Sequence, residues 1–537
     1  MKKSMIVVFI TIIIVLGIGI ILYGNNQKLN KISNKDSVFS TDTHGLPETK
    51  PTETIELKDG DTYDLKASIV KKIINGQTIK MLAYNGSIPG PTIKVPQDAT
   101  ITVNLKNETD VETTLHSHGL RLKNAFDGVP NITQMLIKPG DSFTYQLTFP
   151  DAGVYWYHPH FRQDYAQELG LYGNFLVTPK DPTYWNTVDK EVPLFLDDIS
   201  FENGRIASFY KKSANHTLMG RFGNIMLING ETDYTIPVKK GEVIRFYLTN
   251  SANVRPFNFT INGVRMKLVG GDSGAYEKEE WVDAVTIAPS ERVIVEALFD
   301  TTGEFLIQNK TPDKTTILGK VIVDGLSVRN DPSINQPDVN FNTLLSNQDT
   351  IKSINPFRIY FNKELDKKIN LSVDLNENME RMLGNNTNDG HMMSGGNMME
   401  ATPKDGIEWE NSMDMMSVAP DIEMVKWKII DANTNKKNMD IDWKFKVGDK
   451  VKIRIFNDPK SMHPMQHPIH FHGQRFLVID KNGEKQKNLV WKDTVLVPAG
   501  QFVDILLDVS NPGDWMAHCH ISEHAEDGMM FIFKVLN

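Results

Sequence analysis

Apolar and polar residues alternate along three similar stretches of the chain, which read VPQDATITVNLKN at 95–107, VKKGEVIRFYLTN at 238–250 and FKVGDKVKIRIFN at 445–457. In each stretch a polar turn precedes residues that alternate with a period of two, which is typical of a strand buried on one face. A second pattern, in which a proline opens one strand and a glycine precedes the next, recurs at 137–160, 287–310 and 497–520. The sequence therefore contains three copies of one β-rich unit.

Helical periodicity is scarce, and 37 glycines and 26 prolines are spread along the chain. Short strands separated by such turns predict an all-β protein, with three β-sandwiches in series. We place the three units at residues 51–183, 184–330 and 331–537.

The first residues differ from the rest of the chain. Lys2 and Lys3 precede an uncharged and mostly apolar run, Met5–Tyr23, which is long enough to cross a bilayer as a helix. Residues 1–24 are therefore predicted to be a transmembrane anchor; a cleaved signal peptide is the alternative, although no Ala-x-Ala cleavage site is present. The lysines favour a cytoplasmic N-terminus, which places the rest of the chain outside the membrane, beyond a polar tether at 25–50.

Charge and cysteine content narrow the range of partners. The 537-residue chain has a net charge of -9, which gives no basis for binding nucleic acid. Its single cysteine, Cys519, cannot form an internal disulfide, and an exposed thiol outside the cell is prone to oxidation. Cys519 is therefore expected to be either buried and inert or bound to a metal.

Histidines occupy matching places in the first and third units but not in the second. The third unit reads HPIHFH at 467–472 and the first reads TTLHSH at 113–118, whereas the run aligned with them in the second unit, RPFNFT at 255–260, has no histidine. Another histidine pair lies five and seven residues after a repeated glycine in units one and three, where the second unit has Gln308 and Lys310. The second unit is therefore predicted to be a spacer, and a metal cluster shared by the other two would hold them in contact.

His518, Cys519 and His520 are predicted to lie on one strand, where neighbouring side chains point to opposite faces. The cysteine can then hold one metal ion while both histidines reach a second centre. A thiolate, two imidazoles and a weak axial methionine make a blue-copper electron-transfer site. The candidates for that site are Cys519, His467, His524 and Met529, with Met530 as an alternative axial ligand.

Eight histidines remain, and as neutral imidazoles they suit a trinuclear copper cluster that reduces dioxygen. They are His116, His118, His158, His160, His470, His472, His518 and His520.

These motifs resemble those of the three-domain multicopper oxidases, which include laccase-like enzymes and bacterial cuprous oxidases. The resemblance is carried by HCHISEH at 518–524 with Met529, and by HPIHFHG at 467–473, and it extends over the chain after residue 50. It implies three cupredoxin-like Greek-key domains and four copper ions, namely one type 1, one type 2 and two type 3. It also implies that the type 2 ion binds His116 and His470, and that the type 3 ions bind His118, His158 and His520, and His160, His472 and His518.

The resemblance further implies that Asp127, nine residues after His118, forms a hydrogen bond near the cluster and helps to deliver protons. The alternative is a turn residue, because Asp-Gly pairs are common in turns. Many bacterial relatives carry a glutamate directly after the last type 1 histidine, where it relays protons, but here that position is Ala525. The adjacent Glu526 is the candidate to replace it.

Ten of the 23 methionines fall between Met379 and Met424, among polar residues. Because thioethers select Cu(I), this insert at 379–424 is predicted to handle Cu(I), although its methionines could instead only pack in a mobile lid. The candidate ligands of a substrate copper are Met392, Met393, Met398 and Met399, and the resemblance adds His463 and Met465. His463 stands where cuprous oxidases have an aspartate, so the composition of this site departs from the pattern.

Together these features predict an oxidase outside the cytoplasmic membrane that oxidises Cu(I) to Cu(II), reduces O2 to water and contributes to copper tolerance. A laccase of broad specificity that oxidises phenols is the nearest alternative, and oxidation of Mn(II) or Fe(II) also stays open. A copper-storage protein without turnover is the alternative from another class, but storage does not require eight histidines in this order.

Overall fold

The computed structural model of the protein describes residues 40–202, 204–207, 209, 214–325, 341–375, 403–411 and 425–537. The predicted anchor, the tether up to residue 39 and the four candidate methionines of the insert lie outside these residues. Within the described ranges, no helix combines the length and the apolar character needed to cross a membrane.

The first sandwich contains nine strands and a short helix, α1 (Gln163–Ala166). The strands are β1 (Thr54–Glu56), β2 (Thr62–Ile74), β3 (Gln77–Tyr84), β4 (Thr92–Pro96), β5 (Thr100–Glu108), β6 (His116–His118), β7 (Ser142–Thr148), β8 (Gly153–His158) and β9 (Gly173–Thr178). They form one sheet in the order β1-β4-β9-β8-β6 and another in the order β3-β2-β5-β7.

The second sandwich contains thirteen described strands and the helix α2 (Ala214–Met219). The strands are β10 (Lys190–Ile199), β11 (Phe201–Glu202), β12 (Arg205–Ile206), β13 (Ile225–Ile228), β14 (Tyr234–Lys239), β15 (Glu242–Asn250), β16 (Phe257–Ile261), β17 (Met266–Gly271), β18 (Gly274–Val282), β19 (Val285–Ile287), β20 (Arg292–Phe299), β21 (Gly303–Lys310) and β22 (Thr315–Asp324). The two main sheets have the orders β13-β10-β15-β20-β17-β18 and β14-β22-β21-β16-β19, and β11 pairs with β12.

The third sandwich follows helix α3 (Gln348–Ile354) and includes α4 (Ser522–Glu526). Its strands are β23 (Lys367–Leu375), β24 (Val425–Asp431), β25 (Trp443–Lys446), β26 (Lys450–Asn457), β27 (His467–Phe471), β28 (Arg475–Lys481), β29 (Glu484–Lys485), β30 (Trp491–Lys492), β31 (Thr494–Val497), β32 (Phe502–Asp508), β33 (Gly513–Cys519) and β34 (Met530–Leu536). One sheet runs β24-β23-β26-β32-β28-β29, with β30 also paired to β28, and the other runs β25-β34-β33-β27-β31. Short 3-10 helices span Asn124–Phe126, Asn355–Tyr360 and Asn438–Asp440.

Each sandwich buries a hydrophobic core between its two sheets. The alternation predicted for 95–107 is present in β5, where Ile101, Val103 and Leu105 are buried and the residues between them are partly exposed. By contrast, β15 is buried along almost its whole length. The difference arises because Tyr247 of β15 packs with Val154 of the first sandwich, so the outer face of this sheet is covered by a neighbour.

An asparagine at the end of each repeated strand has the same role in all three sandwiches. Asn107, Asn250 and Asn457 are buried, and the side-chain amide of each donates to two backbone carbonyls. The acceptors are Val111 and Ile137 at 2.9 and 2.9 Å, Arg255 and Ile287 at 2.8 and 2.9 Å, and Met465 and Val497 at 2.6 and 3.0 Å. Each asparagine thus ties the segment that enters β6, β16 or β27 to the segment that precedes the next long strand.

These hydrogen bonds correct the alignment of the second unit. Because Arg255 and Met465 accept from equivalent asparagines, His467 corresponds to Phe257, which lies opposite Ile287 as His467 lies opposite Val497. The expected correspondence between Arg255 and His467 was therefore wrong by two residues. The loops after the asparagines differ in length, and a slip of two residues leaves every side chain on its original face of the strand.

The corrected register still leaves the second sandwich without histidines at the ligand positions. Thr260 lies opposite Gln308, in the way that His470 lies opposite His518 and His116 opposite His158.

We expect Asn250→Ala to lower the free energy of unfolding by about 2–4 kcal/mol, because it leaves two buried carbonyls without their donor. Asn457→Ala should cost a similar amount and also weaken the visible band of a copper-loaded Cys519 site, because Met465 lies two residues before His467. Chemical unfolding and the visible spectrum measure the two effects. Asn104→Ala, which removes an exposed hydrogen bond to Asp64, is the matched control; equal stabilities for all three variants would contradict the role of the repeated asparagines.

Candidate metal centres

Two pairs of strands bring eight histidines together where the first and third sandwiches meet. His116 on β6 lies opposite His158, and His470 on β27 lies opposite His518. Rings from the two sandwiches then pack across the contact: His118 stacks on His470 with the centroids 3.7 Å apart, and His116 packs at an angle on His472 with the centroids 4.2 Å apart. The cluster is therefore shared between two parts of the chain that are far apart in sequence.

Several sets of these side chains converge closely enough to hold a metal ion. Nitrogen atoms of each set lie within 4.8 Å of one another: His116, His470 and His472; His116, His118 and His158; and His160, His472 and His518. The third set coincides with one of the two type 3 groups that the resemblance implies. The other type 3 group is expected to contain His118, His158 and His520. His118 and His158 converge with His116, and the ring centroid of His520 is 5.2 Å from that of His158.

One nitrogen of most of these rings is buried without a hydrogen-bond partner in the described part of the chain. These atoms are Nδ1 of His118 and Nε2 of His116, His158, His160, His470 and His520. The other nitrogen of several rings donates to a fixed oxygen, as in His158 to the Pro159 carbonyl at 2.9 Å and His518 to the Cys519 carbonyl at 2.7 Å. Such bonds fix the ring and its tautomer, which is how metal-bound histidines are usually oriented.

The charge state of the histidine rings also suits metal binding, because the rings are neutral rather than cationic. Burial, followed by the proximity of other imidazoles, lowers the pKa well below its ordinary value for His158, His160, His472, His518 and His520. The rings are therefore neutral, and a neutral imidazole offers a lone pair to a metal ion. Buried lone pairs without donors, held at neutral rings, fit copper ions at this place.

Two aspartates connect the sandwiches through the cluster in the same way. The Asp127 carbonyl accepts from His116 Nδ1 at 2.7 Å, and its carboxylate accepts from His472 Nδ1 of the third sandwich at 2.9 Å. The Asp493 carbonyl accepts from His470 Nδ1 at 2.9 Å, and its carboxylate accepts from His118 Nε2 of the first sandwich at 3.0 Å. Each aspartate thus holds one histidine of its own sandwich and one of the other.

Asp127 was predicted from the sequence, whereas Asp493 was missed. A signal for Asp493 was present, since WVDAV at 281–285 and WKDTV at 491–495 recur before equivalent strands. In the second sandwich the Asp283 carbonyl accepts from Thr260, the residue equivalent to His470, at 2.7 Å. The repeat therefore preserved this contact even where the histidine is absent.

The second centre lies inside the core of the third sandwich. Cys519 Sγ is 3.6 Å from His467 Nδ1 and 3.7 Å from His524 Nδ1, and the two nitrogens are 3.3 Å apart. His524 Nε2 donates to the Leu218 carbonyl of α2 at 3.0 Å, so the second sandwich orients a candidate ligand here. Trp427 stacks on His524 with the ring centroids 3.9 Å apart, which further limits rotation of the imidazole.

Methionine and thiol chemistry fit the same centre. Met529 is fully buried and shares the hydrophobic core with Cys519, whereas Met530 is partly exposed on β34. The Met529 carbonyl accepts from the Cys519 amide at 3.0 Å, which fixes the two residues side by side. Burial raises the pKa of the Cys519 thiol, so the thiolate needs a bound cation to form at neutral pH.

The predicted proton carriers differ in position. Asp127 is buried against two histidines, but Glu526 is on the exposed side of α4 and Ala525 is buried. Glu523 of the same helix was not predicted; it accepts from Asn253 Nδ2 at 2.9 Å, and burial together with Asp164 raises its pKa to about 8. The partly buried acidic residue of α4 is therefore Glu523, whereas Glu526 is exposed.

The candidate substrate-copper residues are only partly described. Met465 is fully buried in the third core, and His463 lies nearer the surface, with its Nε2 atom buried and without a partner among the described residues. The rings of His463 and Trp427 are 6.3 Å apart, which places His463 beside the Cys519 centre. Met392, Met393, Met398 and Met399 lie outside the described residues.

One strand joins a cysteine–histidine centre to a buried cluster of eight histidines, which is an arrangement made for copper-dependent electron transfer. Three stretches of the chain match the multicopper oxidase family, at residues 67–182, 201–322 and 410–537. Multicopper oxidase mco of Staphylococcus aureus is 28% identical over 483 residues, which cover 88% of either chain. Laccase-3 of Oryza sativa subsp. japonica is 26% identical over 519 residues, covering 86% of this chain and 89% of that one.

Solved structures share the fold. The multicopper oxidase from Campylobacter jejuni has a TM-score of 0.64 at 24% identity and covers 93% of this chain and 100% of its own. McoA from Aquifex aeolicus has a TM-score of 0.64 at 20% identity, with 93% and 100% of the two chains covered. The chain belongs to the multicopper oxidase family: it is an oxidoreductase that uses O2, with cupredoxin-like β-sandwich domains in series.

We expect Asp127→Asn to lower oxidase turnover by about 10–100-fold, because the amide oxygen can still accept the His472 hydrogen bond but cannot take up and release a proton as the carboxylate does. The visible band of the Cys519 centre should be unchanged. Steady-state O2 uptake and the visible spectrum measure these effects. Asp151→Asn is the control, since this carboxylate binds Arg121 and Arg475 away from the histidines; equal losses in both variants would argue against a specific role for Asp127.

Proposed function

We propose that this protein oxidises Cu(I) to Cu(II) and passes the electrons to O2, as a copper-tolerance enzyme. The balanced reaction takes four Cu(I), one O2 and four protons to four Cu(II) and two water molecules. Four resident copper ions would supply the one-electron steps and the reduction of O2. The type 1 ion is assigned to His467, Cys519, His524 and Met529, the type 2 ion to His116 and His470, and the type 3 ions to His118, His158 and His520, and to His160, His472 and His518.

The protein connects the two centres by a short covalent path. Cys519 and its neighbours occupy the end of β33, where His518 lies opposite His470 and Cys519 lies opposite Ile469. Because side chains alternate along a strand, the thiol faces the third core while the adjacent imidazoles face the contact between sandwiches. Electrons that enter at Cys519 therefore have only one residue of backbone to cross.

The surrounding side chains exclude water from the cluster and accept hydrogen bonds from its imidazoles. The cluster histidines are buried, apart from a partly exposed His160, and Trp156 stacks on His158 with the ring centroids 4.1 Å apart. The Asp127 carboxylate accepts the Nδ1 proton of His472 from a position that solvent does not reach. A carboxylate so placed can pass protons toward the cluster without admitting bulk water.

The observation that carries the choice of Cu(I) is the position of residues 403–411, which belong to the methionine-rich insert. The Glu408 amide donates to Gln466 Oε1 at 2.7 Å, and Gln466 Nε2 donates to the Glu408 carbonyl at 3.1 Å. Gln466 directly precedes the type 1 candidate His467. The insert is therefore attached beside the centre at which a substrate must deliver its electron.

Further contacts hold the same segment against the second sandwich. The Trp409 carbonyl accepts from Arg255 Nη1 at 2.7 Å, and Asn411 forms reciprocal amide hydrogen bonds with Asn215 at 3.2 and 3.3 Å. Met413 follows Asn411 by two residues in the sequence. The methionines that flank this segment in the sequence are soft ligands, and together with the His463 nitrogen that has no partner among the described residues they favour a cuprous substrate over a bulky phenol.

Related proteins leave both substrate classes open. The Campylobacter jejuni protein is described as a metallo-oxidase. By contrast, a laccase-like CueO from Ochrobactrum sp., at 21% identity, is described as having oxidase activity towards lignin model compounds. Phenol oxidation is therefore the second candidate, and the insert is the feature that separates the two.

The proposed location follows from the charge and apolar pattern of residues 1–24. An anchor with its lysines in the cytoplasm would place the copper centres outside the membrane, where Cu(I) that leaves the cell can be oxidised.

Anaerobic addition of Cu(I) to the copper-loaded full-length protein in detergent, followed by O2, tests the proposal. The visible band of the Cys519 site should bleach with Cu(I) and return with O2, and O2 uptake should be faster with Cu(I) than with a phenol such as 2,6-dimethoxyphenol. Fast phenol turnover with sluggish Cu(I) turnover would make the protein a laccase. No visible band after full copper loading would reject the type 1 assignment.

We expect joint replacement of Met392, Met393, Met398 and Met399 by Ser to lower cuprous turnover about tenfold or more, because a soft first ligand sphere is lost. Phenol turnover and the visible band should change little, since the four residues are not type 1 candidates. Met135→Ser, at an exposed methionine of the first sandwich, is the control. Equal losses for Cu(I) and phenol would reject a substrate role for the insert.

A further inference from the structure

We propose that Arg292 of the second sandwich is a positioning residue for the trinuclear cluster, acting through Asp493 on His118. The inference rests on the proposed ligand set. Under it, the second sandwich supports copper binding although it has no histidine at the ligand positions.

Arg292 begins β20 and is fully buried. Its guanidinium donates from Nη1 to Asp493 Oδ1 at 2.8 Å and from Nη2 to Asp493 Oδ2 at 2.5 Å. A paired contact of this kind fixes both the place and the plane of a carboxylate, which a single point charge cannot do. Asp493 is thereby held in one orientation.

Further donors of Arg292 also have acceptors. Nε donates to the Val154 carbonyl of the first sandwich at 3.1 Å, and Nη1 also donates to the Ser290 carbonyl at 3.0 Å. Its own backbone amide donates to Asp272 Oδ1 at 2.8 Å. The arginine therefore contacts all three sandwiches and has no freedom to leave Asp493.

The oriented carboxylate determines which nitrogen of His118 faces the cluster. Asp493 Oδ1 accepts from His118 Nε2 at 3.0 Å, and Thr494 Oγ1 donates to the same oxygen at 2.9 Å. His118 is the one ring of the six with a partnerless nitrogen in which that atom is Nδ1 rather than Nε2. Because a histidine presents to a metal the nitrogen that is not engaged elsewhere, Arg292 and Asp493 together select the binding atom of His118.

A glycine next to His118 leaves room for this pair. Gly119 has φ +84, and a Cβ added there would lie 2.4 Å from Asp493 Oδ2 and 2.7 Å from Arg292 Nη2. The backbone therefore passes directly against the ion pair, which couples His118 to it on two sides.

The equivalent aspartate has no such partner. Asp127 holds His116 and His472 as Asp493 holds His470 and His118, but among the described residues no arginine or lysine pairs with the Asp127 carboxylate. The Arg292 guanidinium therefore distinguishes the two aspartates. Asp493, which binds His118 and His470, is fixed by the second sandwich, whereas Asp127, which binds His116 and His472, is not so fixed by any described arginine or lysine.

Arg292→Gln in the full-length protein tests the inference, with copper per chain, the electron paramagnetic resonance signal of type 2 copper and the visible band measured together. We expect the visible band to keep its intensity while the affinity for type 2 and type 3 copper falls about 10–100-fold. Chelator competition measures that affinity, and O2 uptake should fall with it.

Arg245→Gln is the matched control, because Arg245 is also buried in the second sandwich and binds Glu296 at 2.7 Å, away from the histidines. We expect it to lower the unfolding temperature while it retains all the copper of the wild type. Arg292→Lys, which keeps the charge but loses the paired contact, should show the selective copper loss in a milder form, and it decides the matter if Arg292→Gln does not fold.

Wild-type copper content and type 2 signal in Arg292→Gln, or in Arg292→Lys in its place, would overturn the inference. Parallel loss of the visible band and of the other coppers in a variant that still unfolds cooperatively would also overturn it, because the effect would then not be selective for the trinuclear cluster. Failure of the proposed ligand set is distinguishable, since it would be seen as missing type 2 and type 3 copper in the wild type itself. Failure of the proposed Cu(I) substrate would change the preferred reductant of the wild type and leave the copper contents expected here unaltered.

Discussion

The structure depends on one contact, in which imidazoles of the first and third sandwiches pack against each other and most of them keep a buried nitrogen without a partner among the described residues. The contacts of His118 with His470 and of His116 with His472 bring together buried nitrogens, of which His116 Nε2, His118 Nδ1 and His470 Nε2 have no partner among the described residues. Burying a polar atom without a partner costs about 1–3 kcal/mol per group. The contact therefore favours a bound metal ion, and under the proposed copper assignment that ion would help to hold the two sandwiches together.

The second sandwich contributes to both centres through groups that orient residues of the third sandwich. It offers no histidine at the ligand positions, yet the Leu218 carbonyl orients His524 and Arg292 orients Asp493. A spacer needs only to set a distance, whereas these groups set the rotation of ligands in two different centres. The buried outer face of β15 has the same cause, because the sheet packs against the first sandwich instead of water.

Much of this was accessible from the sequence, and the exceptions have physical causes. Alternation and repeats predicted β5, β15 and β26, and the spacing of histidines predicted which side chains converge. The second unit was misaligned because a two-residue slip preserves the faces of a strand, so hydrophobic pattern alone does not detect it. Asp493 and Arg292 were missed because their roles arise between sandwiches, where no local pattern reports the contact. Glu523 was missed because the segment after Cys519 was treated as strand, whereas α4 turns Glu526 outward.

The two centres also differ in what must be assembled before copper can bind. His467, Cys519, His524 and Met529 share the core of the third sandwich, so folding of that sandwich, with α2 packed against it, forms the site. The trinuclear cluster instead requires the first and third sandwiches to meet, with Asp127 and Asp493 crossing between them. The first site thus forms within one core while the second needs two sandwiches in contact, and β33 belongs to both. The strand that ends in His518 and Cys519, along which the proposed electron path runs, is thus also the structural link between the two centres.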